Sequence, residues 1–223
     1  MKKILLKLFV AFFATFGFAY TAQAQNTNEW SPRFMSDAGF GKSTLIGFQN
    51  LSPWGVHYRG NYNSGVYMQL QGNYILKDHS FWGFKFDVFT TTGNYEIESN
   101  QRVAENISVL YFAPQMGDIR SISSRMSIVT NVGAGYSLYD NSGLLDNTEY
   151  RMISHMLGVN LDFSIDYSFT KNFIIGCKTS GFAAYSWKLN RDIGGVKDKI
   201  ELDKWDRINP ARFDFSIFLR RYF

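Results

Sequence analysis

The chain has 223 residues, 45% hydrophobic, 17% aromatic and 19% charged, with four prolines and one cysteine. That composition excludes a disordered chain, a collagen-like or Pro-rich chain, a disulfide scaffold and a multi-cysteine metal site. The formal charge of +4 does not point to nucleic acid. Lys2, Lys3 and Lys7 lie in a segment read as removable and residues 1–24 carry no acid, so the rest holds 20 basic against 19 acidic residues.

Residues 1–24 have the three parts of a secretory signal. Lys2 and Lys3 form the positive start, Leu8 to Tyr20 is an apolar stretch broken only by Thr15, and Ala22-Gln23-Ala24 supplies small residues for cleavage. The apolar stretch is shorter than the roughly 18–20 residues of a spanning helix. Cleavage after Ala24 leaves 25–223 as one domain.

From there the sequence reads as strands. The first spans 33–41. In Val66–Leu76, Val66, Met68, Leu70, Tyr74 and Leu76 alternate with Tyr67, Gln69, Gln71 and Asn73. Trp82–Thr90 sets Trp82, Phe84, Phe86 and Val88 against Gly83, Lys85 and Asp87. The next strand covers 104–116, where apolar residues run together over 107–113 and leave facing open. In 125–138, Met126, Ile128, Val132, Ala134, Tyr136 and Leu138 oppose a small or polar set. Leu157–Tyr167 alternates without a break over eleven residues, which predicts one apolar and one polar face. A seventh strand covers 172–186. The last sets Phe213, Phe215, Ile217 and Leu219 against Arg212, Asp214, Ser216 and Arg220.

The connections, 42–64, 77–80, 92–103, 117–123, 140–151, 168–171 and 187–207, alternate long and short. This layout predicts an all-β, eight-stranded antiparallel up-and-down transmembrane barrel, with short turns at one end and long loops at the other. Strands sustained for nine or more residues suit a tilted bilayer crossing, and open edges cannot sit in lipid. Eight strands leave an interior just filled by side chains.

Lys85, Asp87, Arg125, Asp162, Asp166, Lys178, Arg212, Asp214 and Arg220 all fall on the polar face. Inside a closed barrel they must neutralise one another, because uncompensated buried charge is costly. If Tyr167 pairs with Phe173, Asp162 stands opposite Lys178. If Leu76 pairs with Trp82, Gln71 stands opposite Asp87 and Asn73 opposite Lys85.

The signal ending Ala22-Gln23-Ala24, strands such as Asn131-Val132-Gly133-Ala134-Gly135-Tyr136 and the closing Phe223 together resemble the small outer-membrane β-barrel proteins of the OmpA/OmpX and PorT-like kind. The resemblance covers 25–223. It implies an outer-membrane location and partners in outer-membrane lipid and the barrel-assembly machinery, which would read Phe215, Ile217, Leu219 and Phe223. Arg221 departs from that pattern, since an apolar or aromatic residue is usual there.

Chemistry-bearing residues are few. His79 lies in a short turn and His57 in the first long loop beside Trp54 and Tyr58. His155 is the candidate of interest, because a histidine and a serine at the outer end of a strand are the pair a lipid-modifying enzyme needs for ester attack. Strand parity turns the adjacent Ser154 to the opposite face. Gly133-Ala134-Gly135 is no phosphate loop, since no helix follows; small residues there make room for large neighbours. The carboxylates of 187–207 do not have calcium-loop spacing. Cys177 faces outward as an apolar filler. The sequence therefore implies no metal and no cofactor. It predicts a non-catalytic barrel with a structural or surface-interaction role through loops 42–64 and 187–207, an extracellular ligand or protein being the partner. A narrow pore and a lipid-modifying enzyme are the alternatives.

Overall fold

Period-two alternation makes each strand two-faced, and the way these faces are used organises the whole molecule. The computed structural model describes residues 33–46, 64–76, 79–96, 102–202 and 207–223. The signal segment 1–24 and loop residues 47–63 with His57 lie outside the described residues.

The strands are β1 (Phe34–Leu45), β2 (Ser64–Ile75), β3 (Ser80–Glu96), β4 (Arg102–Ser121), β5 (Met126–Leu145), β6 (Thr148–Ser168), β7 (Phe173–Tyr185), β8 (Lys188–Ile193), β9 (Val196–Glu201) and β10 (Arg212–Tyr222). β1 to β7 pair antiparallel in chain order. β10 pairs with β7 on one side and β1 on the other, which closes the sheet into an eight-stranded barrel as the alternation predicts. β8 and β9 form a hairpin outside the ring; β8 takes the place beside β6 that β7 vacates after Tyr185.

The two faces are opposite in character to those of a soluble protein. Along β6, Leu157, Val159, Leu161, Phe163, Ile165 and Tyr167 are each 40% or more exposed, whereas Asn160, Asp162, Ser164 and Asp166 are at most 2% exposed. From Leu157 to Tyr167 the strand rises about 33 Å, or ~25 Å at the usual barrel tilt of about 40°, the height of a hydrocarbon band. Tyr74, packed on Phe34 and Trp82, and Tyr167, packed on Phe169, mark the turn end of that band. Tyr136 with His155, and Tyr185 with Trp187, mark the other.

The structure corrects several details. Strands run further than expected, β1 to Leu45, β3 to Glu96 and β4 over Arg102–Ser121, so parts of the connections 42–64, 92–103 and 117–123 are strand. Residues 140–151 are not a loop: β5 runs to Leu145, β6 starts at Thr148, and Asp146, at φ 52°, turns the chain. The stretch 187–207 holds the β8–β9 hairpin. Both hairpin registers differ by two residues from expectation. Asp162 stands opposite Ser180 and Lys178 opposite Ser164. The cause is Thr170, whose hydroxyl accepts bonds from Asn172 N and Phe173 N, placing the turn one residue later. Likewise Gln71 stands opposite Lys85, Gln69 opposite Asp87 and Asn73 opposite Gly83. Here Leu76 N bonds Ser80 O and His79 adopts φ 68°, so the chain turns one residue sooner.

Candidate functional site: the barrel interior

Inward side chains form three layers. At the turn end Met35, Phe81, Val129, Ile174 and Tyr222 pack together. At the loop end lies a larger apolar cluster that includes Phe89, Ile107, Val109, Tyr111, Tyr139, Met152, Phe182 and Ile208. Apart from Glu105, which lies within the loop-end layer, the buried charges described here sit between them.

Next to the turn-end layer, Arg220 joins two carboxylates. Its Nη2 donates to Asp37 Oδ2 at 2.8 Å and its Nη1 to Asp166 Oδ2. Lys178 Nζ reaches the other oxygen of Asp37 at 3.0 Å. Ser164 Oγ donates to Asp166 Oδ1 at 2.9 Å. Arg220 and Lys178 both lie against the ring of Phe218, each 4.8 Å from its centre.

The second group sits higher. Lys85 Nζ donates to both oxygens of Asp162 at 2.8 Å and to Ser180 Oγ at 3.2 Å. Asp162 also receives Gln71 Nε2 and Asn160 Nδ2, each at 3.0 Å. Arg212 donates to Asp87 at 2.6 Å and to Asp214 at 3.1 Å, with its guanidinium 3.9 Å from the ring centre of Phe182. Lys85 Nζ lies 3.7 Å from Asp87, which links the two pairs. The lysines, arginines and aspartates of both groups are at most 3% exposed. Each of these buried charges is thus held by an opposite charge, and Lys85, Asp162 and Asp166 by neutral hydrogen-bonding groups as well, while Asp87 Oδ2 and Arg212 Nη1 have no hydrogen-bond partner.

Eight of the nine expected residues are brought together. Arg125 is a correction: it is exposed in the turn before β5, where inward parity has already lapsed. Lys178 pairs with Asp37 instead of Asp162, a consequence of the register difference. Asp37 was missed. Its strand mixes Ser36, Ala38, Gly39 and Gly41, too small for a clear two-faced pattern; the available signal was its shared parity with Met35 and Ser43. Glu105 is a second buried carboxylate outside the expected set, receiving Asn141 Nδ2 at 2.5 Å and Tyr150 OH at 2.8 Å.

The His155 and Ser154 candidates are not brought together. Ser154 is buried on the inner face against Ser186, and its hydroxyl donates to Lys188 O. His155 is exposed on the outer face, its Nδ1 2.5 Å from Tyr136 OH. Just beyond, Arg151 forks onto Asp140 at 2.8 and 3.0 Å, the first outward ion pair above the band. Gly133 makes room as expected: a Cβ there would fall 2.5 Å from Asn160 Oδ1. Phe215, Ile217 and Leu219 face outward, each at least 50% exposed, and Phe223 bonds through its backbone to Arg33 and Phe34. Among the described residues no group of histidine, cysteine and carboxylate side chains has the arrangement of a metal site.

No protein-family model matches the chain, and no curated protein sequence does. Solved structures do match in fold. A major outer membrane protein from Thermus thermophilus is 12% identical, with a TM-score of 0.59 over 87% of this chain and 100% of that one. The outer membrane protein OprG from Pseudomonas aeruginosa is 14% identical, with a TM-score of 0.52 over 86% of this chain and 96% of that one. The chain therefore has the fold of small outer-membrane β-barrels.

Proposed function

We propose that the chain, freed of residues 1–24, is an integral outer-membrane barrel with a sealed interior and a non-catalytic, surface-interaction role. The apolar belt carries this reading. A ring of exposed leucine, valine, isoleucine and phenylalanine about as tall as a hydrocarbon core, around an interior of buried aspartate, lysine and arginine, suits lipid outside and no bulk water within.

The three-layered interior supports a plug over a pore, because two largely apolar layers flank a layer of four cations and five aspartates joined in ion pairs. The separation of Ser154 from His155 supports a non-catalytic role. What projects beyond the belt supports contact with an external partner. β4, β5 and β6 continue past it, and the β8–β9 hairpin in 187–207 extends their sheet. β1 ends at Leu45 and β2 begins at Ser64 at the same end. The turn end then faces the periplasm, where the assembly machinery reads Phe215, Ile217, Leu219 and Phe223.

Heat-modifiable gel mobility after membrane fractionation tests the barrel. Replacing 42–64 and 187–207 with short turns tests the role: the barrel should still assemble while its phenotype is lost. Full function after that exchange would contradict a loop-borne role.

A further inference from the structure

At the turn end of the barrel, a row of cations lies outside the ion pairs formed among the described residues. Arg221 belongs to the outward set of β10, and its guanidinium lies 4.8 Å from the ring centre of Phe223 and 5.3 Å from that of Phe173. Its Nε is shut off from solvent and has no hydrogen-bond partner. Backbone bonds fix its neighbours. Arg33 N donates to Phe223 O at 3.0 Å, and Tyr222 N donates to the carbonyl of Asn172, the residue after Lys171, at 3.0 Å. Ser168 N donates to Arg125 O at 2.9 Å. Arg125, Lys171, Arg221 and Arg33 therefore follow one another along the ends of β5, β6–β7, β10 and β1.

Among the described residues none of these four has a carboxylate within ion-pair distance. Other surface cations are of both kinds, and Lys42, Arg102, Lys199 and Arg207 likewise have no ion pair among the described residues. Arg120, on the same rim, is held by Asp118 at 2.8 Å. At the opposite end Arg151, Lys188 and Arg191 are paired with Asp140, Glu201 and Asp198.

We propose that this arc binds the phosphate of anionic phospholipids in the leaflet that the turns meet, an assignment that rests on the membrane reading above. Guanidinium groups match phosphate oxygens in pairs, and two flanking rings hold Arg221 ready at headgroup depth. The apolar surroundings select a lipid over a free anion. Phe34, Phe169 and Phe173 are 40–69% exposed beside the cations, so an occupant with an acyl chain covers them while its phosphate meets Arg221. Aromatic residues at this depth are the usual neighbours of lipid headgroups.

The test uses the mature barrel in vesicles of equal parts phosphatidylglycerol and phosphatidylcholine, extracted gently, with retained lipid classes counted by mass spectrometry. The native protein should hold phosphatidylglycerol in preference. Arg221→Gln should lower that preference about fivefold, the scale of one basic residue at an anionic surface. Arg120→Gln removes the same charge from the same rim but out of an ion pair, and should leave the preference unchanged. Equal losses in the two variants, or no preference in the native protein, would overturn the site. So would full displacement of the lipid by inorganic phosphate, which marks an anion site without a lipid requirement. Gel mobility of the same samples separates the two readings. A chain that never inserts defeats the membrane reading and this one with it; a chain that inserts without lipid preference defeats this one alone.

Discussion

Lys85 on β3 meets Asp162 on β6 across the barrel interior, Nζ 2.8 Å from either carboxylate oxygen, although the two strands lie three places apart around the wall. The pair ties opposite sides of the barrel together. Removing one partner strands the other: Lys85→Met should destabilise the folded barrel by about 3–5 kcal/mol, the usual result of breaking a buried pair. Adding Asp162→Leu should recover most of that loss. Urea unfolding in vesicles measures both, and a double variant as unstable as the single one would contradict the pairing.

The β6–β7 register can be read with the one native cysteine. Cys177 stands opposite Ile165, and Phe163 stands opposite Thr179. Ile165→Cys should therefore oxidise to an intramolecular disulfide with Cys177, since directly paired strand residues fall within the Cα separation a disulfide needs. Phe163→Cys should stay reduced. The reverse outcome is what a turn one residue earlier predicts.

Depth along β6 sets the third expectation. Leu161 lies mid-belt, 65% exposed, so Leu161→Arg should cost about 2–4 kcal/mol, as for cations at a bilayer midplane. Ile153 lies above the belt beside the Arg151–Asp140 pair, and Ile153→Arg should cost about 0–1 kcal/mol. Equal costs at the two sites would remove the band between them.

These cases show which features the sequence made legible. Strand number, facing and the polar lumen follow from period two, which Leu157–Tyr167 displays without interruption because its two faces meet lipid and a polar interior. In 107–113 the pattern blurs for a physical reason. Ile107, Val109, Tyr111 and Ala113 fill the upper apolar layer while Leu110 and Phe112 belong to the outer face, so both sets are apolar. Registers were out of reach because they depend on turn closure by the Thr170 hydroxyl and on the backbone of His79. The partners of Lys178 and Lys85 were out of reach as well, since contacts across a lumen are not encoded in neighbouring strands.

The β8–β9 hairpin carries the pH expectation. Arg191 forks onto Asp198, holding that carboxyl below its ordinary value of 3.8. A lowered carboxylate adds stability that is present above its unfolded value and is lost as pH falls through the folded one. Amide exchange corrected for intrinsic rates should show hairpin protection unchanged at neutral and mildly acidic pH and declining only below about 3.8. Arg191→Gln should remove that decline. Protection in the variant that still falls over the same range would assign it to another group.

Cys177 offers the most direct test of where the outer face lies. It is exposed and stands opposite Ile165 and Ile217, both in the belt. A small fluorophore on its thiol, in the reconstituted barrel, should be quenched by lipids brominated near the middle of their chains and remain insensitive to iodide in the surrounding water. Strong iodide quenching with no response to the brominated chains would contradict a lipid-embedded belt.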